Sequence, residues 1–262
     1  MIRAVAVVVP AHDEQELLDG CLRSVRRAAA HPALRAATVR TFVIADSCRD
    51  ATAEIGRRHG AEVVEAALGS AGAARALGSA RALARLLRPA SELRPQEIWL
   101  AHTDADTRVP ACWLAGQLDR AAQGIHAVVG TVEVDDWSEH LPGTAARFRR
   151  YYAALRDPSG GVPGPHPHVH GANLALRADA YAAVGGFPPV TTGEDRALVA
   201  ALESAGCRVH RTDSHPVRTS ARRASRAPGG FGDFLRALEA RERWRRPAAA
   251  SYPPPVPPLG GR

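Results

Sequence analysis

The sequence contains no lysine, so every one of its 34 basic residues is an arginine. Cysteine is scarce as well, since the chain has only four cysteines and they form no CxxC pair. Their spacing does not match the disulfide framework of a small secreted protein. The cysteine usage therefore favours a reducing, cytoplasmic location, with the four thiols as ordinary half-buried side chains.

Long apolar runs are also missing. The N-terminal run, Ala4–Val9, stops at Pro10 and is too short for a signal peptide or a membrane span. No later stretch approaches the roughly 18 uninterrupted apolar residues that a spanning helix requires. We therefore expect a soluble protein without a transmembrane segment, in at most peripheral contact with a membrane.

The first apolar run is not followed by a glycine-rich loop. A dinucleotide dehydrogenase would carry GxGxxG after Val9, and this motif is absent. The residues that do follow, Pro10 to Glu14, are acidic, whereas a nucleotidyltransferase would need glycines and a basic residue there to hold phosphate. The sequence therefore speaks against a dinucleotide dehydrogenase and keeps a nucleotidyltransferase only as a minor alternative among the enzyme classes.

Positive charge is in excess, with a formal net charge of +7. Such a charge attracts the phosphate or carboxylate groups of nucleic acids, membranes or small polyanions. The basic segment Arg218–Arg226 contains no aromatic residue on which bases could stack. We therefore expect no nucleic-acid partner, and interpret this segment either as a diphosphate-binding element or as a solvated surface.

Apolar runs alternate with helical patterns along the first 110 residues. The predicted strands are Val5–Val9, Thr41–Ala45, Ala61–Glu65 and Ile98–His102. The predicted helices are Glu14–Ala30, one ending near His59, and Gly69–Leu87. Continuous β-branched runs are typical of strands that are covered on both faces. The alternation predicts an α/β fold with a mostly parallel central sheet flanked by helices.

The alternation weakens after residue 110. A strand is predicted at Ala127–Val134, and helices are predicted at Thr144–Leu155 and Phe231–Arg246. Residues 158–168 predict a long loop rich in glycine and proline, and residues 247–262 predict a proline-rich disordered tail. We expect a single catalytic domain at residues 1–246.

Carboxylates follow three of the predicted strands. Ligands of parallel α/β sheets bind outside the carboxyl ends of the strands, where the loops converge. Asp104 and Asp106 follow the fourth strand with one residue between them, so that two hard oxygen ligands can face one site. This arrangement suits Mg²⁺ or Mn²⁺ bridging a diphosphate. A turn or a helix cap is the alternative explanation of the same two residues.

Several motifs together resemble family 2 glycosyltransferases, which have the GT-A fold. They are Val7-Val8-Val9-Pro10-Ala11-His12-Asp13-Glu14, Val43-Ile44-Ala45-Asp46-Ser47-Cys48-Arg49-Asp50-Ala51-Thr52, Thr103-Asp104-Ala105-Asp106-Thr107, His170-Gly171-Ala172-Asn173-Leu174-Ala175-Leu176-Arg177, Gly185-Gly186-Phe187 and Gly193-Glu194-Asp195. Their order and spacing match the family over about residues 3 to 205. Together with the arginine and alanine bias, the resemblance predicts a bacterial glycosyltransferase.

The resemblance implies a nucleotide-sugar site in residues 1–110 and an acceptor half in residues 111–246. In this interpretation the nucleotide-sugar is bound by Pro10, Ala11, Glu14, Asp46, Arg75, Asp104, Ala105, Asn173 and Arg222. The metal, Mn²⁺ or Mg²⁺, is held by Asp104 and Asp106, and a downstream His215 completes its shell or is an ordinary polar side chain. Arg222 is the arginine expected to grip the diphosphate.

The resemblance also assigns Asp195 as the base that deprotonates the acceptor, which predicts inversion at the sugar carbon. A charge at the N-terminus of a helix is the alternative role of Asp195. Asn173 and His170 either orient the ligands or lie in a buried turn. The acceptor is a small molecule, a lipid-linked molecule or a glycan.

Two further interpretations stay open from the residues alone. His166, His168 and His170, together with Asp135 and Asp136, could suggest zinc, but no cysteine pair flanks them. Ala45 and Ser47-Cys48 replace residues usual for the family around Asp46. A catalytically degenerate fold that serves as a carbohydrate-binding or scaffold protein is therefore the non-enzyme alternative.

Overall fold

One sheet with helices on both faces organises the chain. In the computed structural model, which describes residues 1–89, 91–155, 166–224 and 229–240, seven strands form this sheet. The strands are β1 (Ala4–Ala11), β2 (Thr38–Asp46), β3 (Glu62–Ala66), β4 (Ile98–His102), β5 (Ala127–Glu133), β6 (Leu174–Arg177) and β7 (Val209–Arg218). The helices are α1 (Leu18–Ala29), α2 (Thr52–Arg58), α3 (Ala71–Leu86), α4 (Trp113–Ala122), α5 (Thr144–Ala154), α6 (Ala178–Ala183), α7 (Glu194–Ser204) and α8 (Phe231–Ala240).

The strand order is β3-β2-β1-β4-β6-β5-β7. Only β6 runs antiparallel to its neighbours, β4 and β5, and the remaining pairs are parallel. The sheet is therefore mostly parallel, as the sequence predicts. Because β1, β2 and β4 are parallel, their carboxyl ends open at the same edge.

Strand β1 lies between two hydrophobic cores, one on each face of the sheet. Every residue of β1 is buried. Val5, Val7 and Val9 pack into the core that includes α1 and α4, while Ala4 and Ala6 pack into the core on the opposite face, which includes α3 and α7. This division follows from the alternation of side chains along a strand. It explains why β1 is apolar at successive positions rather than at every second one.

The predicted elements of the first 110 residues are present, with small changes at their ends. The largest change concerns the first helix, which begins at Leu18 rather than at Glu14. The carbonyl group of Glu14 accepts hydrogen bonds from the amides of Leu17 and Leu18, so residues 14–17 form a turn before the helix. Glu14 is thus placed at the end of β1 rather than on the helix.

Four elements were not predicted from the sequence: α4, β6, α6 and β7. Strand β7 is mostly polar and half-buried, because it lies at the edge of the sheet. Strand β6 has only four residues. Helix α8 is described as far as Ala240, and the rest of the predicted helix, the tail 247–262 and most of the loop 158–168 lie outside the described residues. Within the described ranges, no helix has both the length and the apolar character needed to cross a membrane.

Candidate active site

A cavity of about 380 Å³ opens at the carboxyl ends of β1, β2 and β4. It is closed by the segment before β6, the start of α7, the segment after β7 and the start of α8. The residues predicted as site residues that line it are Pro10, Ala11, Glu14, Asp46, Arg75, Asp104, Ala105, Asp106, Asp195 and Arg222. The fold therefore brings most of the predicted site residues together, although they span more than two hundred positions of the sequence.

Asp104 and Asp106 follow the buried strand β4 and differ in their surroundings. Asp104 accepts a hydrogen bond from Nη2 of Arg75 at 2.5 Å. Asp106 accepts hydrogen bonds from the hydroxyls of Thr107 and Thr219 at 3.3 and 3.4 Å. Burial, together with the negative charge of Asp104, raises the pKa of Asp106 to about 7. A second negative charge beside Asp104 is therefore unfavourable, and a cation bound between the two carboxylates would favour the ionised form of Asp106.

Arg222 places a positive charge beside Asp106. Its guanidinium group donates to both carboxylate oxygens of Glu14 and lies 3.2 Å from Oδ2 of Asp106. Arg222 therefore holds the segment after β7 over the cavity by its contacts with Glu14 and Asp106. The side chain of Glu14 is used in this ion pair and does not cap α1.

Asp46, at the end of β2, accepts hydrogen bonds from the backbone amides of residues 68–70 at 2.6 to 3.1 Å. Burial would raise the pKa of Asp46, but these backbone donors outweigh it and hold the pKa below its usual value. Asp46 therefore stays ionised and fixes the loop that leads into α3. Ser47, which follows it, has a positive φ of 55°, so the chain turns sharply at this edge of the sheet.

Asp195 lies in the first turn of α7 and is held from the segment before β6. Its Oδ2 accepts a hydrogen bond from the backbone amide of Gly171 at 2.9 Å. Burial, and next the charge of Glu194, raise the pKa of Asp195. A carboxylate with a raised pKa is a better proton acceptor near neutral pH, which is the property required of a general base.

One wall of the cavity is aromatic, and the sequence indicated it weakly or not at all. This aromatic wall is built by His170, Tyr152 and Phe231. Nε2 of His170 forms a hydrogen bond with the hydroxyl of Tyr152, and its ring meets the ring of Phe231 edge-on at 5.9 Å. His170 and Phe231 both line the cavity. The signal for this wall was the paired tyrosines of α5 opposite a histidine-rich segment, but only the fold brings α5, α8 and that segment together.

The histidine-rich segment does not form a zinc site. The rings of His166 and His168 stack at 5.7 Å, and those of His168 and His170 stack at 6.2 Å. Tyr152 stacks on His168 at 3.8 Å. In the part of the chain that the structure describes, no metal-ligand cluster includes these histidines. The alternate spacing therefore builds an aromatic stack.

Two predicted site residues lie elsewhere. Asn173 is buried, accepts a hydrogen bond from Nε1 of Trp113, and donates to the carbonyls of Thr131 and His215. Its polar atoms are thus used within the protein, and Asn173 is not among the residues that line the main cavity. The ring of His215 packs against Gly116 of α4 and lines a separate small cavity. The structure therefore does not bring His215 to Asp104 and Asp106.

The chemistry of the main cavity fits a divalent metal. Six carboxylates line it against three guanidinium groups, so the lining is negative when these groups are ionised. A diphosphate would add further negative charge to this surface. Mg²⁺ is commonly bound by one or two carboxylates together with substrate phosphates and water, and Asp104 and Asp106 provide such ligands. The residues present are therefore suited to a metal and a diphosphate bound together.

Comparison with known proteins gives a family match and similar solved structures. Residues 3–244 match the family model described as glycosyltransferase like family 2. Residues 1–349 of TarS from S. aureus, in complex with UDP-GlcNAc, superpose with a TM-score of 0.60 at 11% identity, covering 91% of this chain and 65% of that chain. The mannosyltransferase PcManGT from Pyrobaculum calidifontis, in complex with GDP-Man and Mn²⁺, superposes with a TM-score of 0.63 at 18% identity, covering 91% of this chain and 62% of that one.

These similarities have a limited extent. The chain spans less than two thirds of the length of either solved structure. At such identities they establish a shared fold, the GT-A fold. A search of curated protein sequences gives no match.

Proposed function

The chain belongs to glycosyltransferase like family 2, and on this basis we propose that it transfers a sugar from a nucleoside-diphosphate sugar to an acceptor hydroxyl or amine, with the help of a divalent metal. The observation that carries the proposal is that one cavity is lined by an acidic pair, an arginine and a further, partly buried carboxylate. These are Asp104 with Asp106, Arg222, and Asp195.

Asp104 and Asp106 are the proposed metal ligands. When bound, Mn²⁺ or Mg²⁺ supplies Lewis-acid stabilisation of the diphosphate that leaves the sugar. The excess of carboxylates in the cavity supports this role, because a diphosphate alone would be repelled. The presence of Mn²⁺ and GDP-Man in the mannosyltransferase with the same fold gives independent support.

The proposed nucleotide-binding surface is formed by the residues at the ends of β1 and β2, namely Pro10, Ala11 and Asp46. Arg222 is proposed to release part of its contact with Glu14 and Asp106 and to donate to the diphosphate oxygens. A guanidinium group is suited to this exchange because its planar fork binds carboxylate and phosphate with the same geometry. The donor is a UDP-, GDP- or dTDP-sugar.

Asp195 is the proposed base. It accepts the proton of the acceptor hydroxyl as the acceptor oxygen forms a bond to the anomeric carbon, and the bond from that carbon to the diphosphate breaks. The nucleoside diphosphate leaves with the bonding electrons. A direct displacement of this kind inverts the configuration at the anomeric carbon. The amide of Gly171 keeps Asp195 oriented, and burial keeps its affinity for the proton high.

The test is nucleotide release from UDP-, GDP- and dTDP-sugars, measured with Mn²⁺, with EDTA, and after Mn²⁺ is restored. We expect one donor to give Mn²⁺-dependent release, and the variant D106N to lose at least about a hundredfold in rate, since removal of one electrostatic contact to the transition state typically costs about that much. H215A is the matched control, because His215 lies away from the acidic pair, and its Mn²⁺ dependence should equal that of the wild type.

Two results would contradict the proposal. One is the absence of metal-dependent turnover with every donor, combined with unchanged residual activity in D106N. The other is donor or glycan binding without any turnover, which would instead indicate a catalytically degenerate, carbohydrate-binding protein.

A further inference from the structure

Arg75 of α3 is a buried cation that joins two carboxylates from distant parts of the chain. Its Nη2 donates to Asp104, and its Nη1 donates to Glu194 at the start of α7. Arg75 and Glu194 are 5% and 7% exposed. Glu194 directly precedes Asp195, so one guanidinium group connects the acidic pair after β4 with the turn that carries the proposed base.

Two glycines make room for this contact. A Cβ atom at Gly72 would lie 2.8 Å from Cγ of Glu194, and one at Gly171 would lie 2.4 Å from Cζ of Arg75. Neither glycine has a positive φ. A side chain is therefore excluded at both positions by the close approach of the ion pair, and not by the backbone conformation. Gly72 lies within α3, where glycine costs about 1 kcal/mol relative to alanine.

The contacts leave Arg75 no terminal nitrogen free of a carboxylate partner. Its Nε has no hydrogen-bond partner among the described residues. A hydrogen bond from a terminal nitrogen of Arg75 to the nucleotide-sugar, which the family resemblance implied, would require breaking one of the two ion pairs. The geometry favours a role within the protein, between Asp104 and Glu194.

We propose that Arg75 is a positioning residue that couples the metal site at Asp104 to the proposed base Asp195 through Glu194. The inference rests on the proposed function of the same cavity. A metal bound to Asp104 would weaken the ion pair between Asp104 and Arg75. Arg75 would then interact more strongly with Glu194 and hold the first turn of α7 more firmly. When Glu194 is neutralised, the whole positive charge of Arg75 acts on Asp104 and competes with the metal. Such coupling is reciprocal, so a change in charge or in metal binding at either carboxylate alters the interactions of the other.

The experiment measures Mn²⁺ binding by titration calorimetry in three series, in the presence of UDP, GDP or dTDP. The variants are E194Q, which keeps the size of the side chain, and G72A, which pushes Glu194 away from Arg75 and favours the helix. E203Q is the matched control, because it makes the same substitution on α7 at a residue that pairs with Arg211 outside the cavity. Thermal unfolding of each variant checks that it is folded.

We expect E194Q and G72A to bind Mn²⁺ about fivefold more weakly or worse, the lower end of typical coupling between sites, and E203Q to bind it as the wild type does. We also expect E194Q to shift the pH profile of kcat, because the charge next to Asp195 has changed, with a smaller change in the KM for the donor. Wild-type Mn²⁺ affinity in both E194Q and G72A would overturn the inference alone. If the wild type binds no Mn²⁺ with any of the three nucleotides, the proposed function and the inference are both wrong.

Discussion

The guanidinium group of Arg222 donates to both carboxylate oxygens of Glu14, although the two residues are 208 positions apart in the sequence. The contact joins the end of β1 to the segment that follows β7. It places a fork of hydrogen-bond donors at the mouth of the cavity, beside Asp106. The segment that closes the cavity is therefore also the one that carries the arginine proposed to bind the diphosphate.

Replacing Arg222 by lysine tests this arrangement. Lysine keeps the charge but has a single ammonium group, so it cannot bind Glu14 or a diphosphate with two parallel hydrogen bonds. The loss of one charge-assisted hydrogen bond, about 1.5 kcal/mol, corresponds to roughly a tenfold rise in the KM for the donor. Initial-rate kinetics with the donor varied would measure it.

Arg218→Lys is the control for this variant. Arg218 lies in the same part of the chain, but its side chain is 62% exposed and pairs with Glu133 and Asp135 at the surface. Surface pairs of this kind contribute little to stability. An equal KM for the donor in R222K and in the wild type would argue against a diphosphate contact by Arg222.

Asn173→Ala distinguishes a ligand contact from a structural role. The substitution leaves the buried Nε1 of Trp113 without its acceptor and the carbonyls of Thr131 and His215 without their donor. Since each unsatisfied buried group costs about 1 to 3 kcal/mol, we expect a loss of about 3 kcal/mol in the free energy of unfolding. Urea unfolding would measure this loss, with the exposed Gln123→Ala as the control.

The kinetics of the same variant complete the test. At a temperature where N173A is folded, its KM for the donor should stay close to the wild-type value. A large rise in this KM together with unchanged stability would instead indicate that Asn173 contacts the donor.

The sequence predicted the first half of the fold well because its central strands β1 and β4 are buried on both faces. Runs such as Val5–Val9 and Phe42–Ala45 are apolar at every position, which few other elements are, and acids follow them within a few residues. Strand β7 escaped prediction because one side of it lies at the edge of the sheet and its residues are mostly polar. A polar, half-exposed strand has no periodic signal that distinguishes it from a loop.

The site was predictable as a set of residue types but not as a set of contacts. The spacing of Asp104 and Asp106 is local, so the sequence carries it directly. The pairing of Arg75 with Glu194 spans 119 positions and depends on how α3 and α7 pack on the same face of the sheet. Asn173 lies within one of the motifs and His215 lies after the last of them, yet their side chains both turn toward α4. Tertiary packing decides toward which neighbouring element the side chains at such positions point.

His170 makes the stability of the protein depend on pH in a defined direction. Burial, and next the charges of His168, His166 and Arg196, together lower the pKa of His170 to about 3. Tyr152 faces the ring from α5 through its hydroxyl. In the unfolded chain the pKa of a histidine is about 6.5, so below that pH the unfolded state takes up a proton that the folded state does not.

The contribution of His170 is therefore fully present above about pH 6.5 and is lost as the pH falls toward 3. Between about pH 7 and about pH 5, this one group should remove about 2 kcal/mol from the free energy of unfolding. His170→Gln has no titrating group, so it should lose about 2 kcal/mol less than the wild type over the same interval. Urea unfolding at a series of pH values would measure the difference.

Tyr152→Phe provides the control, because it removes the hydroxyl but leaves a neutral, buried histidine. Its stability should be lower at every pH, while its dependence on pH should match that of the wild type. If H170Q and the wild type lose the same stability between about pH 7 and about pH 5, then His170 is protonated in the folded protein, and the aromatic wall of the cavity carries a positive charge rather than a neutral ring.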